Sequence, residues 1–78
     1  MAQHRETLLR IVTGLTGHDV QTLEGLWSAP LADAGLDSIR AQELLAELED
    51  EYDVEITPED AVHLETLAAV ERFVKGLG

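Results

Sequence analysis

Ala41, Leu44, Leu45, Leu48 and Tyr52 recur at intervals of three and four residues through a stretch without glycine or proline. That spacing lays one apolar stripe along an α-helix, and the unbroken run carries the helix from Ser38 to about Glu51. Two other segments repeat the pattern. Leu8, Ile11, Val12 and Leu15 give residues 5–15 a stripe, with Gly14 and Gly17 as stopping points. Leu67, Val70, Phe73, Val74 and Leu77 supply another near the end, capped by Thr66 and closed by Gly76. A short helix of one or two turns begins at Thr57-Pro58, read as N-cap and N1, with Glu59 and Asp60 in its first turn. Val54 and Ile56 are too brief to make a strand and pin a linker to the core instead. The expected fold is all-α, a small four-helix bundle of three amphipathic helices and one short one.

Residues 16–36, TGHDVQTLEGLWSAPLADAGL, carry no sustained period. They predict a long loop between the first and second helices, held over the core by Val20, Leu23, Leu26, Trp27, Leu31 and Leu36. TLEGLW has the makings of one helical turn, weakened by Gly25. Trp27 reads as such a pin rather than as a platform for a ligand.

Seventy-eight residues suit one domain, spanning 1–78, near the lower size limit for an unstapled core. The chain has no cysteine, which rules out disulfides and thiolate metal sites. Trp27, Tyr52 and Phe73 are its only aromatics, so the core must be aliphatic. No run is long and apolar enough to span a membrane, and no signal peptide opens the chain; it reads as soluble and cytoplasmic. Met1 and Gly78 bracket what reads as a complete small protein, although an excised domain given a start codon would look the same.

The formal charge is −11, with eleven acids and one basic residue, Arg40, between Asp37 and Glu65. Such a chain repels nucleic acid and anionic membrane and suits basic protein surfaces. Glu43, Glu47 and Asp50 fall at i, i+4 and i+7 on one helix face, apart from the apolar stripe.

Ser38 stands where the strongest helix begins, behind Asp37 as N-cap, with Gly35 supplying a sharp turn before the cap. As a catalytic nucleophile it would need a base, and no motif sets His4, His18 or His63 beside it. The G-x-S-x-G pattern of a nucleophile elbow is missing, and so small a bundle has little room for a substrate pocket. The histidines form no zinc-ligand motif. An EF-hand loop begun at Asp50 would place Glu55 where glycine is required, which breaks that motif.

LADAGLDSIRAQELLAELEDEYDVEITPED resembles an acyl carrier protein, and the likeness spans nearly the whole chain. It rests on the G-x-D-S-[LI] block, the acidic helix ending in Tyr52, VEIT before a short helix, and the closing amphipathic helix. The resemblance implies a carrier with no catalytic activity of its own. Ser38 would hold 4′-phosphopantetheine, added from coenzyme A by a phosphopantetheinyl transferase, and acyl groups would ride on its thiol as thioesters. Asp37 would cap the helix beside the attachment point, and Glu43, Glu47 and Asp50 would meet basic docking surfaces. Those surfaces would belong to the transferase and to acyl-transferring, ketosynthase or other biosynthetic enzymes. Leu44, Leu45 and Leu48 would border the acyl cavity, and the carrier would be monomeric. A phosphate on Ser38 would suit a helix N-terminus, where free N–H groups favour negative charge.

Two residues depart from the family pattern. Arg40 puts a cation in the first turn, either as a surface pair with Glu43 or as a contact to the prosthetic phosphate. Gln42 stands where relatives often have an apolar residue, which hints at a more polar, polyketide-like cargo. The expected protein is thus a free-standing acyl carrier of polyketide or related specialised synthesis. A peptidyl or aminoacyl carrier would share its handle, and an acidic interaction module without a prosthetic group is the reading from another class.

Overall fold

The computed structural model describes residues 3–77, with Gln3 as backbone only; Met1 and Gly78, read as the bounds of a complete chain, lie outside them. Helix α1 is Gln3–Thr16, α2 Val20–Gly25, α3 Ser38–Tyr52, α4 Pro58–Ala61 and α5 Leu67–Leu77. No strand is assigned among the described residues, and the all-α bundle expected from the apolar periods is the one observed. No described helix is long and apolar enough to cross a membrane.

The three stripes meet in one aliphatic core. Leu8 and Val12 of α1, Leu44 and Leu48 of α3, and Leu67, Val70 and Val74 of α5 are almost wholly buried there. Leu45, Tyr52 and Phe73 pack against it half-buried. Leu77, expected on the inward face, is exposed, and α5 runs through Gly76 rather than stopping at it. Both differences fall in the final turn, where helix ends fray.

The connection between α1 and α3 holds more structure than its sequence period suggests. Asp19 caps α2, its carboxylate accepting from the Thr22 N–H at 2.8 Å. A 3₁₀ turn at Leu31–Ala34 follows. Leu23, Trp27 and Leu36 are the buried anchors, Leu26 and Leu31 pack half-buried, and Val20 faces solvent. What was expected as a long loop is therefore a short helix and a turn, each held by one or two apolar contacts instead of a stripe.

Backbone hydrogen bonds strap this segment to the start of α5. The Leu31 N–H donates to the Glu65 carbonyl at 3.0 Å and the Ala68 N–H to the Trp27 carbonyl at 2.9 Å. Trp27 is a pin, as expected: its indole N–H donates to Glu71 Oε1 at 2.9 Å. Arg5 grips both Glu71 oxygens, at 2.9 and 3.2 Å, and lies 4.6 Å over the indole ring. Residues of α1, the connection and α5 thus meet at one buried carboxylate.

The hydrogen bonds from Arg5, with help from Trp27 and nearby Lys75, hold the Glu71 carboxyl down to about 2 against its ordinary 4.5. A depressed folded-state value means that the ionised form stabilises the fold fully above the ordinary value. That contribution disappears as pH falls from about 4.5 through about 2. Glu71→Gln should therefore be less stable than the native chain at neutral pH and lose less of its remaining stability on acidification. Urea unfolding across that range measures the difference, and parallel curves for the two proteins would remove Glu71 from the acid response.

Between α3 and α5 the chain behaves as its caps predict. Asp53, with φ of 54°, closes α3 in the left-handed conformation. The Ile56 N–H donates to Glu49 Oε2 at 2.7 Å while Ile56 packs on the core. Thr57 and Asp60 form a reciprocal capping box on α4, with Pro58 in first place. Thr66 caps α5 through the Ala69 N–H at 3.0 Å.

Candidate functional site

Leu31, Gly35 and Leu36 decide how the chain delivers Ser38. Leu36 is buried and its N–H donates to the Leu31 carbonyl at 3.0 Å, which anchors the chain two residues before the serine. Gly35 ends the 3₁₀ turn at φ 87°, and a Cβ there would come within 3.1 Å of the His18 ring. Backbone sign and close packing together require glycine at this position. The sharp turn expected before the cap is present.

Asp37 follows in an extended conformation as N-cap of α3, its Oδ1 accepting from the Arg40 N–H at 2.9 Å. Ser38 is the first helical residue, exposed, and its hydroxyl has no hydrogen-bond partner among the described residues. The N–H groups of Ser38 and Ile39 precede the first intrahelical donor and have no partner within the helix. Ala41 is that first donor, bonded to the Asp37 carbonyl at 2.7 Å. An anion esterified to Ser38 would meet those free N–H groups and the positive end of a 15-residue helix. The residues present therefore fit a phosphodiester.

Among the described residues no histidine is bonded to Ser38 as a base. His4 Nδ1 is bonded to the Tyr52 hydroxyl at 2.9 Å, His18 packs against Gly35, and His63 is exposed. Among the described residues no group of histidines and acids is arranged to hold a metal ion.

Arg40 turns its guanidinium toward α1 rather than to Glu43. It donates to the carbonyl of Leu15 in the last turn of α1, and it forms no ion pair with Glu43. The negative end of α1 offsets the poor placement of a cation in the first turn of α3. No sequence period reports such a link, because it joins residues on two helices.

Glu43, Glu47 and Asp50 are all exposed on α3, and none is in an ion pair among the described residues. Their neighbour Glu51 pairs with Arg10 of α1 at 3.2 Å. Of the residues expected at an acyl cavity, Leu44 and Leu48 are closed within the core and Leu45 is half-buried beside it. An open furrow lies elsewhere, along the seam of α1 and α3, lined by Arg10, Ile11, Gly14, Leu15 and Glu47. Sequence reasoning missed it; Gly14 was read only as a place for the helix to stop.

A family model described as the phosphopantetheine attachment site matches residues 6–74. The chain belongs to that family of phosphopantetheine-dependent carrier proteins. Its members hold acyl intermediates as thioesters on 4′-phosphopantetheine and have no catalytic activity of their own. No solved structure matches the chain.

Proposed function

We propose that Ser38 is the residue that carries the 4′-phosphopantetheine arm, and that the chain serves polyketide or related specialised synthesis. The observation that carries the first part is the placement of an exposed, unbonded serine hydroxyl at the first position of α3. Asp37 contributes by holding the helix start, so that the free N–H groups stay aimed at the esterified phosphate. When bound, the arm supplies the thiol that a chain without cysteine lacks. Gln42, exposed on α3, supports a cargo more polar than a plain fatty chain.

Incubation with coenzyme A and a transferase of broad acceptor range tests this reading by mass spectrometry. The native chain should gain one pantetheine phosphate, and peptide mapping should find it on the fragment containing Ser38. An unmodified chain, or the added mass on another residue, would overturn the assignment.

The acidic face of α3 serves as the docking surface for the transferase and for biosynthetic enzymes with basic surfaces. Exposed charges of this kind chiefly speed and orient encounter, and salt weakens them. Glu43→Lys with Glu47→Lys should keep the fold and lower the transferase kcat/KM by roughly tenfold at low ionic strength. The loss should shrink as salt is raised. Equal kinetics for both proteins at low salt would leave these acids with solubility as their role.

A further inference from the structure

We propose that the furrow between α1 and α3 seats one Arg or Lys side chain of the transferase that modifies Ser38. This rests on the reading of Ser38 given above, and it extends the docking surface from α3 onto α1.

The floor of the furrow is aliphatic, made by Ile11 and Leu15. Its middle is open because Gly14 has no side chain, and a Cβ built there meets nothing within 4 Å. Two charged groups, Arg10 and Glu47, are in its lining. Arg10 is already engaged by Glu51 at 3.2 Å, and Arg40 is turned to the Leu15 carbonyl. Glu47 lines the furrow, is exposed and has no ion-pair partner among the described residues. An apolar floor with one unpaired carboxylate at the rim is the complement of a long aliphatic stem that ends in a cation. Glu43 and Asp50 continue the same negative field along α3.

Other occupants match these features less well. Glu47 is nine residues beyond Ser38 on α3. At about 100° per residue that places it on the opposite side of the helix, so an arm leaving Ser38 starts away from the furrow. A purely apolar guest would leave the carboxylate unanswered. A second copy would bring another chain of charge −11 against the first.

Gly14→Leu fills the gap with a stronger helix former and meets no neighbour at Cβ, so the fold should be kept and its melting temperature should not fall. The expected result is a transferase KM raised roughly fivefold with kcat unchanged, the mark of lost docking. Glu47→Gln should weaken the native chain and add little in the Gly14→Leu background, because both changes act on one guest side chain. A second measurement does not depend on turnover. Amide resonances of Gly14 and Leu15 should shift when the ¹⁵N-labelled Ser38→Ala chain is titrated with the transferase.

Equal KM values for Gly14→Leu and native, fully additive losses, or unmoved Gly14 and Leu15 amides would each overturn the proposal. Shifts of those amides that appear only on loading an acylated arm, or only on raising the carrier's own concentration, would assign the furrow to cargo or to a second copy. If the native chain takes no pantetheine, the Ser38 reading falls; if it is modified and Gly14→Leu behaves as native, the furrow proposal alone falls.

Discussion

Ser38→Ala should leave the chain folded and abolish the modification by coenzyme A and a transferase proposed above. The two halves of this result come from different atoms. The hydroxyl is exposed and makes no hydrogen bond among the described residues, so its removal breaks nothing in the fold. Alanine suits the first turn, and the capping carboxylate belongs to Asp37, which is untouched. Circular dichroism should be unchanged while the mass gain vanishes. Asp37→Ala should give the converse. The hydroxyl remains, but the Arg40 N–H loses its acceptor and the helix start weakens by about 1 kcal/mol. A stable Ser38→Ala protein that still takes up one pantetheine phosphate would show that the handle lies elsewhere.

Leu48→Ala should be strongly destabilising, as should truncation of the equally buried Leu44. Leu48 is fully buried where the stripes of α1, α3 and α5 meet. Deleting a leucine of this kind costs about 2–5 kcal/mol, the transfer term plus the void left behind. A domain of this size shifts its melting temperature by about 4–8 °C for each kcal/mol, so the loss amounts to a fall of at least about 8 °C. Leu45→Ala, at a half-buried position one residue round from Leu44, should cost distinctly less. An unchanged melting temperature for Leu48→Ala would place the inward face of α3 wrongly, and with it the outward face on which Glu43, Glu47 and Asp50 stand.

The parts of this molecule that the sequence reveals are those governed by nearest turns of the same helix. The stripes of α1, α3 and α5 follow a period, and Asp37, Thr57 and Thr66 cap within three residues of the N–H groups they serve. Ser38 is legible for the same reason, since its position depends only on where α3 begins. α2 is harder to read because six residues make too few turns for a stripe, and Gly25 argues against it. The sequence Asp19-Val20-Gln21-Thr22 after Gly17 was the available signal, a cap behind a turn. The Arg40 link to Leu15, the grip of Arg5 and Trp27 on Glu71, and the furrow over Gly14 depend on separate elements meeting. No local pattern specifies such meetings. Arg40 shows the consequence most plainly, because a reading confined to α3 supplies it with Glu43 while the fold supplies it with the end of α1.

The strap between the Trp27–Leu31 segment and the start of α5 also sets an order of events during synthesis. Its acceptors and donors at residues 65, 68 and 71 leave the ribosome long after Ser38 does. Until they emerge, Trp27 has no carboxylate to bond, Leu31 has no carbonyl to meet, and the segment that delivers the serine is unpinned. Chains emerge at about 5–20 residues per second, so the serine is out for seconds before its support exists. A nascent chain stalled before Glu65 would offer the transferase a serine sequence without the geometry that presents it. If Ser38 bears the arm, as proposed above, an enzyme that requires the pinned form would act only on a chain whose last helix has docked.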